Sequence, residues 1–245
     1  MVGFIATFID SIVGGGGLIS LPALLALDIP PQLALGTNKL ASSVGAVVSS
    51  WTFWKAGRVE KKLILRVFPV SVVSSVAGAS AVSFIPPGAL QPVVLTLLIG
   101  IMILVFRKKD WGSVSTYNKE EKSNLPKVCT FASVIAFGDG FMGPGTGTFL
   151  LFCFLSLGFD FVTAAGNSRV LNMASNLGAL STFLLFGHVL FVYGLMMALG
   201  MALGGYTGSR TAISKGNAFV RILFKGITVI LVLKIAVTWG IKWMN

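Results

Sequence analysis

Long apolar runs alternate with short basic segments along the chain, and most of the runs have the length of membrane helices. About 20 mostly apolar residues cross a hydrocarbon layer of about 30 Å. Stretches at residues 36–54, 67–85, 88–106, 170–187 and 189–209 meet that length, with a sixth at 218–241. Two further apolar regions do not fit a single span. Residues 1–27 are interrupted by Gly14, Gly15, Gly16 and Gly17, and residues 128–158 by Gly143, Pro144, Gly145, Thr146 and Gly147. Each interruption leaves pieces of about 11–17 residues, the length of half-helices or re-entrant arms. The first segment lacks a basic start and runs into glycines instead of a cleavage site, so it is read as part of the mature fold.

The basic residues orient these spans. Of 19 Lys and Arg, 15 fall in three segments, at residues 55–66, 107–127 and 210–225. Cytoplasmic loops carry the excess of Lys and Arg, which puts these three segments inside and the uncharged turns at residues 86–92 and at Gly187 and His188 outside. Parity then constrains the region between. With residues 107–127 inside, and the span after Arg169 ending outside at His188, residues 127–160 must leave and return on the cytoplasmic side. A re-entrant hairpin folded at the second glycine break does so.

Shifting the sequence by 130 places superimposes Ile5 on Ile135, Gly15 on Gly145, Gly17 on Gly147, Leu21 on Leu151, Ala34 on Ala164, Gly36 on Gly166 and Lys39 on Arg169. Two broken segments sharing one register indicate an internal duplication. Under the same shift the basic loop at 55–66 falls on a stretch without Lys or Arg, and uncharged residues 84–91 fall on 214–221. Loop charge therefore swaps between the halves, as inversion requires. The expected fold is an all-α polytopic membrane protein of two inverted repeats, each a broken, re-entrant helical hairpin plus three transmembrane helices. Residues 1–106 form the first repeat, 107–127 a cytoplasmic basic linker and 128–245 the second.

Composition narrows the function. The chain has 245 residues, 55% hydrophobic and 11% charged, with a net charge of +11. In a soluble domain that surplus would suggest a nucleic-acid binder; in so apolar a chain it suggests cationic loops against an anionic membrane face. Cys129 and Cys153 sit in apolar runs and read as buried small hydrophobes rather than a disulfide scaffold. With His188 as the sole histidine and no cluster at ligand spacing, neither a metal site nor a catalytic triad is expected, and no cofactor. The glycine runs follow no strand and lack the Gly-Lys-Ser/Thr ending of a P-loop.

The broken helices and inverted halves are a secondary-transporter signature, with substrate bound near the midplane where the breaks meet. A helix that starts after a break offers free N–H groups and a positive dipole end to an anion. Lys39 and Arg169 lie at equivalent positions just after the breaks. A charge within a span costs roughly 2.5–3.5 kcal/mol on insertion scales, so its presence needs a reason. Candidate substrate-binding residues are therefore Gly14 to Gly17, Thr37, Asn38, Lys39, Gly143, Gly145, Thr146, Gly147, Asn167, Ser168, Arg169, Asn172 and Asn176. Asp10 and Asp139 precede the breaks as ion-pair partners of the cations or carriers of a coupling proton. Bland readings stand beside these: backbone packing for the glycines, snorkelling or structural ion pairing for the cations, and interhelical hydrogen bonding for Asn172 and Asn176.

The runs "FIDSIVGGGGLISLPALLAL" with "ALGTNKL", and "FGDGFMGPGTGTFLLF" with "AAGNSRVLNMASNLGAL", resemble the TauE/SafE sulfite-exporter family over nearly the whole chain. The resemblance implies a multi-pass plasma-membrane transporter of seven or eight spans that moves sulfite, sulfoacetate or another small sulfur-containing anion. Its expected partners are that anion, the lipid bilayer and a coupling proton, with no nucleic acid. A membrane channel or scaffold without alternating access is the competing reading.

Overall fold

The computed structural model describes residues 1–82, 112–117, 124–141, 143 and 145–244, and among them every regular element is an α-helix. The expected span at 88–106, the turn at 86–92 and most of the basic segment 107–127 lie outside the described residues. The helices are α1 (Val2–Val13), α2 (Gly17–Leu25), α3 (Pro31–Lys55), α4 (Lys61–Ala81), α5 (Asn124–Phe141), α6 (Thr146–Ser156), α7 (Phe161–Leu185) and α8 (Phe191–Met244).

Both interrupted regions fold as pairs of helices, of 12 and 9 residues in the first and of 18 and 11 in the second, where the first arm is longer than expected. α1 stops at Gly14, whose φ of 80° and ψ of −179° lie where a side chain is not tolerated. α6 starts after Gly145, held in the left-handed region at φ 93°. Pro31, with its φ preset, occupies the first turn of α3. α7 is capped by Asp160, whose carboxylate accepts from Thr163 N at 3.1 Å. It begins nine residues before the span expected at 170–187, so Asn167, Ser168 and Arg169 lie within the helix. An average over hydropathy misses this start because the polar residues of that turn face inward. α8 covers the last two expected spans, and its break falls at Gly216, with φ 74° and ψ −169°.

α3 and α7, each of 25 residues, cross at the centre. Ser49 bonds Arg169, while Lys39 and Ser42 bond Asn176, so higher numbers on one helix face lower numbers on the other and the two run antiparallel. α1 packs along α8 and α5 along α4, each short helix lying against the other half of the chain. Small residues permit the approach. A Cβ on Gly204 or Gly208 would meet the carbonyls of Phe4 and Phe8, and one on Gly78 or Gly140 those of Phe137 and Ser75.

Equivalent contacts recur at the 130-residue offset that also relates α3 to α7 and the start of α4 to that of α8. Thr37 Oγ1 accepts from Leu190 N at 2.9 Å, and Asn167 Oδ1 from Glu60 N at 2.8 Å. Gly36 abuts the carbonyl of His188, and Gly166 that of Arg58.

The described parts of the three basic segments gather at one end. Arg58 touches Gly166; Phe161 N donates to Gly112 O, Asn217 Nδ2 to Ser113 O, and Arg221 Nη1 to Ser113 Oγ. At this end Lys55 sits over Trp51, Lys61 over Trp54 and Arg210 over Tyr206, at 4.9, 5.0 and 5.3 Å from the ring centroids. A buried apolar core built from α1, α3, α4, α5, α6, α7 and α8 includes Ile12, Phe53, Ile64, Val128, Phe154, Phe161 and Phe224. Outward-facing apolar residues such as Val73, Val192, Met196, Leu199 and Leu203 are exposed. Among the described residues, Lys61–Ala81 and Phe191–Ile230 combine the length and hydropathy needed to cross a membrane.

Candidate functional site

The two breaks meet tip to tip beside α7. A Cβ on Gly14 would collide with Thr148 N and the Gly147 backbone, and one on Gly147 with Gly14 Cα. Thr148 Oγ1 donates to Val13 O at 3.3 Å, so the carbonyl end of α1 faces the amide end of α6, opposite ends of two dipoles. The tips thus serve as close packing surfaces.

Each break carries an ion pair that crosses between the halves. Lys39 Nζ lies 2.8 Å from Asp139 Oδ1, and Arg169 Nη1 pairs with Asp10 Oδ2. Lys39, Arg169 and Asp139 are each 2% exposed, and Asp10 15%. Asp139 is bonded through both oxygens: Oδ1 also accepts from Thr146 Oγ1 at 2.8 Å, and Oδ2 from Ser175 Oγ at 2.5 Å. Asp10 Oδ1 accepts from Gly16 N at 2.9 Å, at the start of α2. Arg169 Nε donates to Ser49 Oγ at 3.0 Å.

One face of α7 joins the pairs. Arg169 Nη1 donates to Asn172 Oδ1 at 3.1 Å, Asn176 Nδ2 donates to the same oxygen at 3.2 Å, and Lys39 Nζ donates to Asn176 Oδ1 at 2.9 Å. The result is a continuous polar string, Asp10–Arg169–Asn172–Asn176–Lys39–Asp139. Lys39 lies eight residues into α3 and Arg169 eight into α7, about 12 Å from the start of each helix at 1.5 Å per residue. Because those helices are antiparallel, the two cations lie at mirrored depths on either side of the middle.

Two cations and two carboxylates leave this centre formally neutral. Removing one member of a buried pair costs about 3–5 kcal/mol, because the other charge stays buried. The cleft lined by Asp10, Ser11, Gly14, Gly147, Ser168 and Arg169, among others, is too narrow to admit a water molecule. Each of the four charges is held by a protein partner.

The family description "Sulfite exporter TauE/SafE" matches residues 1–235. The chain belongs to the TauE/SafE family. It is 37% identical over 233 residues to "Probable membrane transporter protein ORF9" of a Sinorhizobium species, covering 95% of this chain and 88% of that protein. To "Probable membrane transporter protein" of Haemophilus influenzae it is 35% identical, covering 90% and 86%. To "Probable membrane transporter protein YfcA" of Escherichia coli K12 it is 34% identical, covering 90% and 81%. No solved structure matches. This TauE/SafE chain is accordingly a helical membrane protein of a transporter family.

Within this TauE/SafE fold the sequence-derived candidates separate by position. Lys39, Arg169, Asn172, Asn176, Asp10, Asp139, Gly16 and Thr146 join the polar string or bond directly to it. Gly14, Gly147 and Ser168 line the cleft, though the Ser168 hydroxyl bonds back to Ala164 O at 2.7 Å. Gly143 lies near Lys39 Nζ and its carbonyl accepts from Thr146 Oγ1, while buried Gly145 caps α6. Gly15 is buried, with φ 89°, and half-buried Gly17 opens α2. Thr37 and Asn167 point away from the string and accept the backbone N–H groups where α8 and α4 begin. Asn38 is buried, and its Oδ1 has no hydrogen-bond partner among the described residues. Ser42, Ser49 and Ser175 also join the network, and sequence reading passed over them. The available signal was spacing: Ser42 and Ser49 lie three and ten residues after Lys39, and Ser175 three after Asn172.

Proposed function

We propose that the protein is a secondary transporter of a small sulfur-containing oxyanion, sulfite or a sulfonate, working by alternating access around the centre between the two glycine breaks. The observation that carries this reading is the pair of buried cross-half ion pairs, each linking a cation of one half to a carboxylate of the other at a helix break. Rocking of the halves would part a cross-half pair, and an anion bound at the cation so freed would replace the carboxylate it loses. The matched contacts at the 130-residue offset and the antiparallel course of α3 and α7 support two repeats of opposite orientation, each a broken hairpin plus three spans. The basic, aromatic-flanked end is the cytoplasmic face of a multi-pass plasma-membrane protein, and a proton carried by one of the aspartates is the coupling ion. The name of the matching family supports sulfite or a close relative as cargo.

The test is flux in proteoliposomes. Lys39→Ala or Arg169→Ala abolishes sulfite or sulfonate uptake while the protein still inserts, and unchanged flux overturns the reading. Counterflow separates a carrier from a pore, since only a carrier accumulates labelled anion against its gradient by exchange.

A further inference from the structure

The two ion pairs are not equivalent. Asp139 is bonded through both oxygens to Lys39, Thr146 and Ser175 and is 2% exposed. Asp10 is held by a single backbone N–H, that of Gly16, and by Arg169, and is 15% exposed. It borders the cleft between the glycine tips, with Gly147 against its Oδ1. Its carboxylate thus fills the cradle that an oxyanion would seek, a free amide at a helix start together with a guanidinium.

Two residues that line the same cleft carry spare donors. Ser11 lines the cleft, is 1% exposed, and its Oγ has no partner among the described residues. Arg169 also lines it, and none of the guanidinium bonds to described residues uses Nη2. A carboxylate has two oxygens and leaves these donors unused. A head with three oxygens on one atom would engage them as well as Gly16 N–H and Arg169 Nη1.

We propose that the Asp10 carboxylate is a tethered stand-in for the substrate's oxyanion head, displaced from the Gly16–Arg169 cradle when cargo binds, while the Lys39–Asp139 pair stays closed as a positioning element. This rests on the anion-carrier reading and adds which of the two cations receives the cargo, what competes for it, and what shape of anion fits. A sulfonate or sulfite head presents three oxygens around one centre; chloride presents a single centre and cannot span the donors.

A stand-in that fills its site about nine-tenths of the time weakens apparent affinity about tenfold, since only the vacant fraction binds. The experiment therefore compares the full-length wild type with Asp10→Asn, Asp10→Ser and Asp139→Asn in detergent. Equilibrium binding and thermal unfolding are measured with sodium methanesulfonate, sodium sulfite and sodium chloride. The expected result is at least about tenfold tighter methanesulfonate and sulfite binding in the Asp10 variants, with the stability lost by removing Asp10 restored by those anions and not by chloride. Asp139→Asn loses stability that no anion restores.

Asp10 variants that bind no tighter than wild type, or that chloride rescues equally, overturn the proposal. If neither Asp10 variant accumulates, the wild type decides. Methanesulfonate should raise carbodiimide modification of Asp10 and leave Asp139 unmodified, and no increase at Asp10 overturns the stand-in. Arg169-dependent binding by wild type without the Asp10 effect defeats this inference alone. Absence of sulfite and methanesulfonate binding in every form defeats the carrier reading with it.

Discussion

A hydroxyl that accepts a backbone N–H inside a membrane protein has no water to replace it. Thr37 Oγ1 holds the N–H of Leu190 at the start of α8, so Thr37→Val keeps the side-chain shape and leaves that donor unpaired. The expected cost is about 1–3 kcal/mol, the desolvation penalty of a buried unpaired group, visible as a lowered unfolding midpoint in detergent; an unchanged midpoint would count against the bond's contribution. Residue chemistry was legible in the sequence where it was expensive. Lys39, Arg169, Asp10 and Asp139 stood out because ionisable groups in apolar runs are costly. Their crosswise pairing was not legible, since nothing local says which carboxylate will lie across from which cation. Nor was the division of labour among the polar neighbours. Thr37 and Asn167 resembled site residues through their nearness to the cations, yet the helix turn points them to helix starts, while Ser49 and Ser175 read as ordinary small residues until folding brought them to Arg169 and Asp139.

Helix breaks were the most readable elements, because four consecutive glycines and a Gly-Pro-Gly-Thr-Gly run leave little choice of where an apolar segment divides. Helix starts were less so. α7 begins at Phe161 because Asp160 caps it there, and the polar turn through Arg169 faces the interior, so an average over hydropathy places the start too late. The glycines themselves differ sharply in what they allow. Gly147→Ala would drive a Cβ into Gly14 Cα and towards Asp10 Oδ1, and Gly14→Ala would meet the Gly147 backbone at a φ of 80°. Both substitutions should abolish accumulation of folded protein. Gly138, within α5, has no atom of the described residues within 4 Å of where a Cβ would go. Gly138→Ala is expected to be tolerated and to stabilise the helix by roughly 0.5–1 kcal/mol. Thermal unfolding and expression of the three variants check this, and equal outcomes at all three positions would mean the breaks are not packed as described.

At the scale of the whole molecule, the described parts of the three basic segments converge on one end, where Trp51, Trp54 and Tyr206 lie beneath cations as aromatic residues do at a membrane interface. His188 sits at the far end of α7, against Gly36 near the start of α3. If the basic end is cytoplasmic, α3 and α7 cross the bilayer in opposite senses, and their equivalent cations approach the middle from opposite faces. Single cysteines test this in a chain whose Cys129 and Cys153 have been replaced by alanine. His188→Cys should react with a membrane-impermeant maleimide added to intact cells, while Lys61→Cys and Ser115→Cys should react only after permeabilisation. Labelling of position 61 or 115 from outside, or protection of 188 until permeabilisation, would overturn the proposed parity and with it the re-entrant reading of each glycine hairpin. The two tips would then not approach the centre from opposite faces, and the charge-swapped loops would need another explanation.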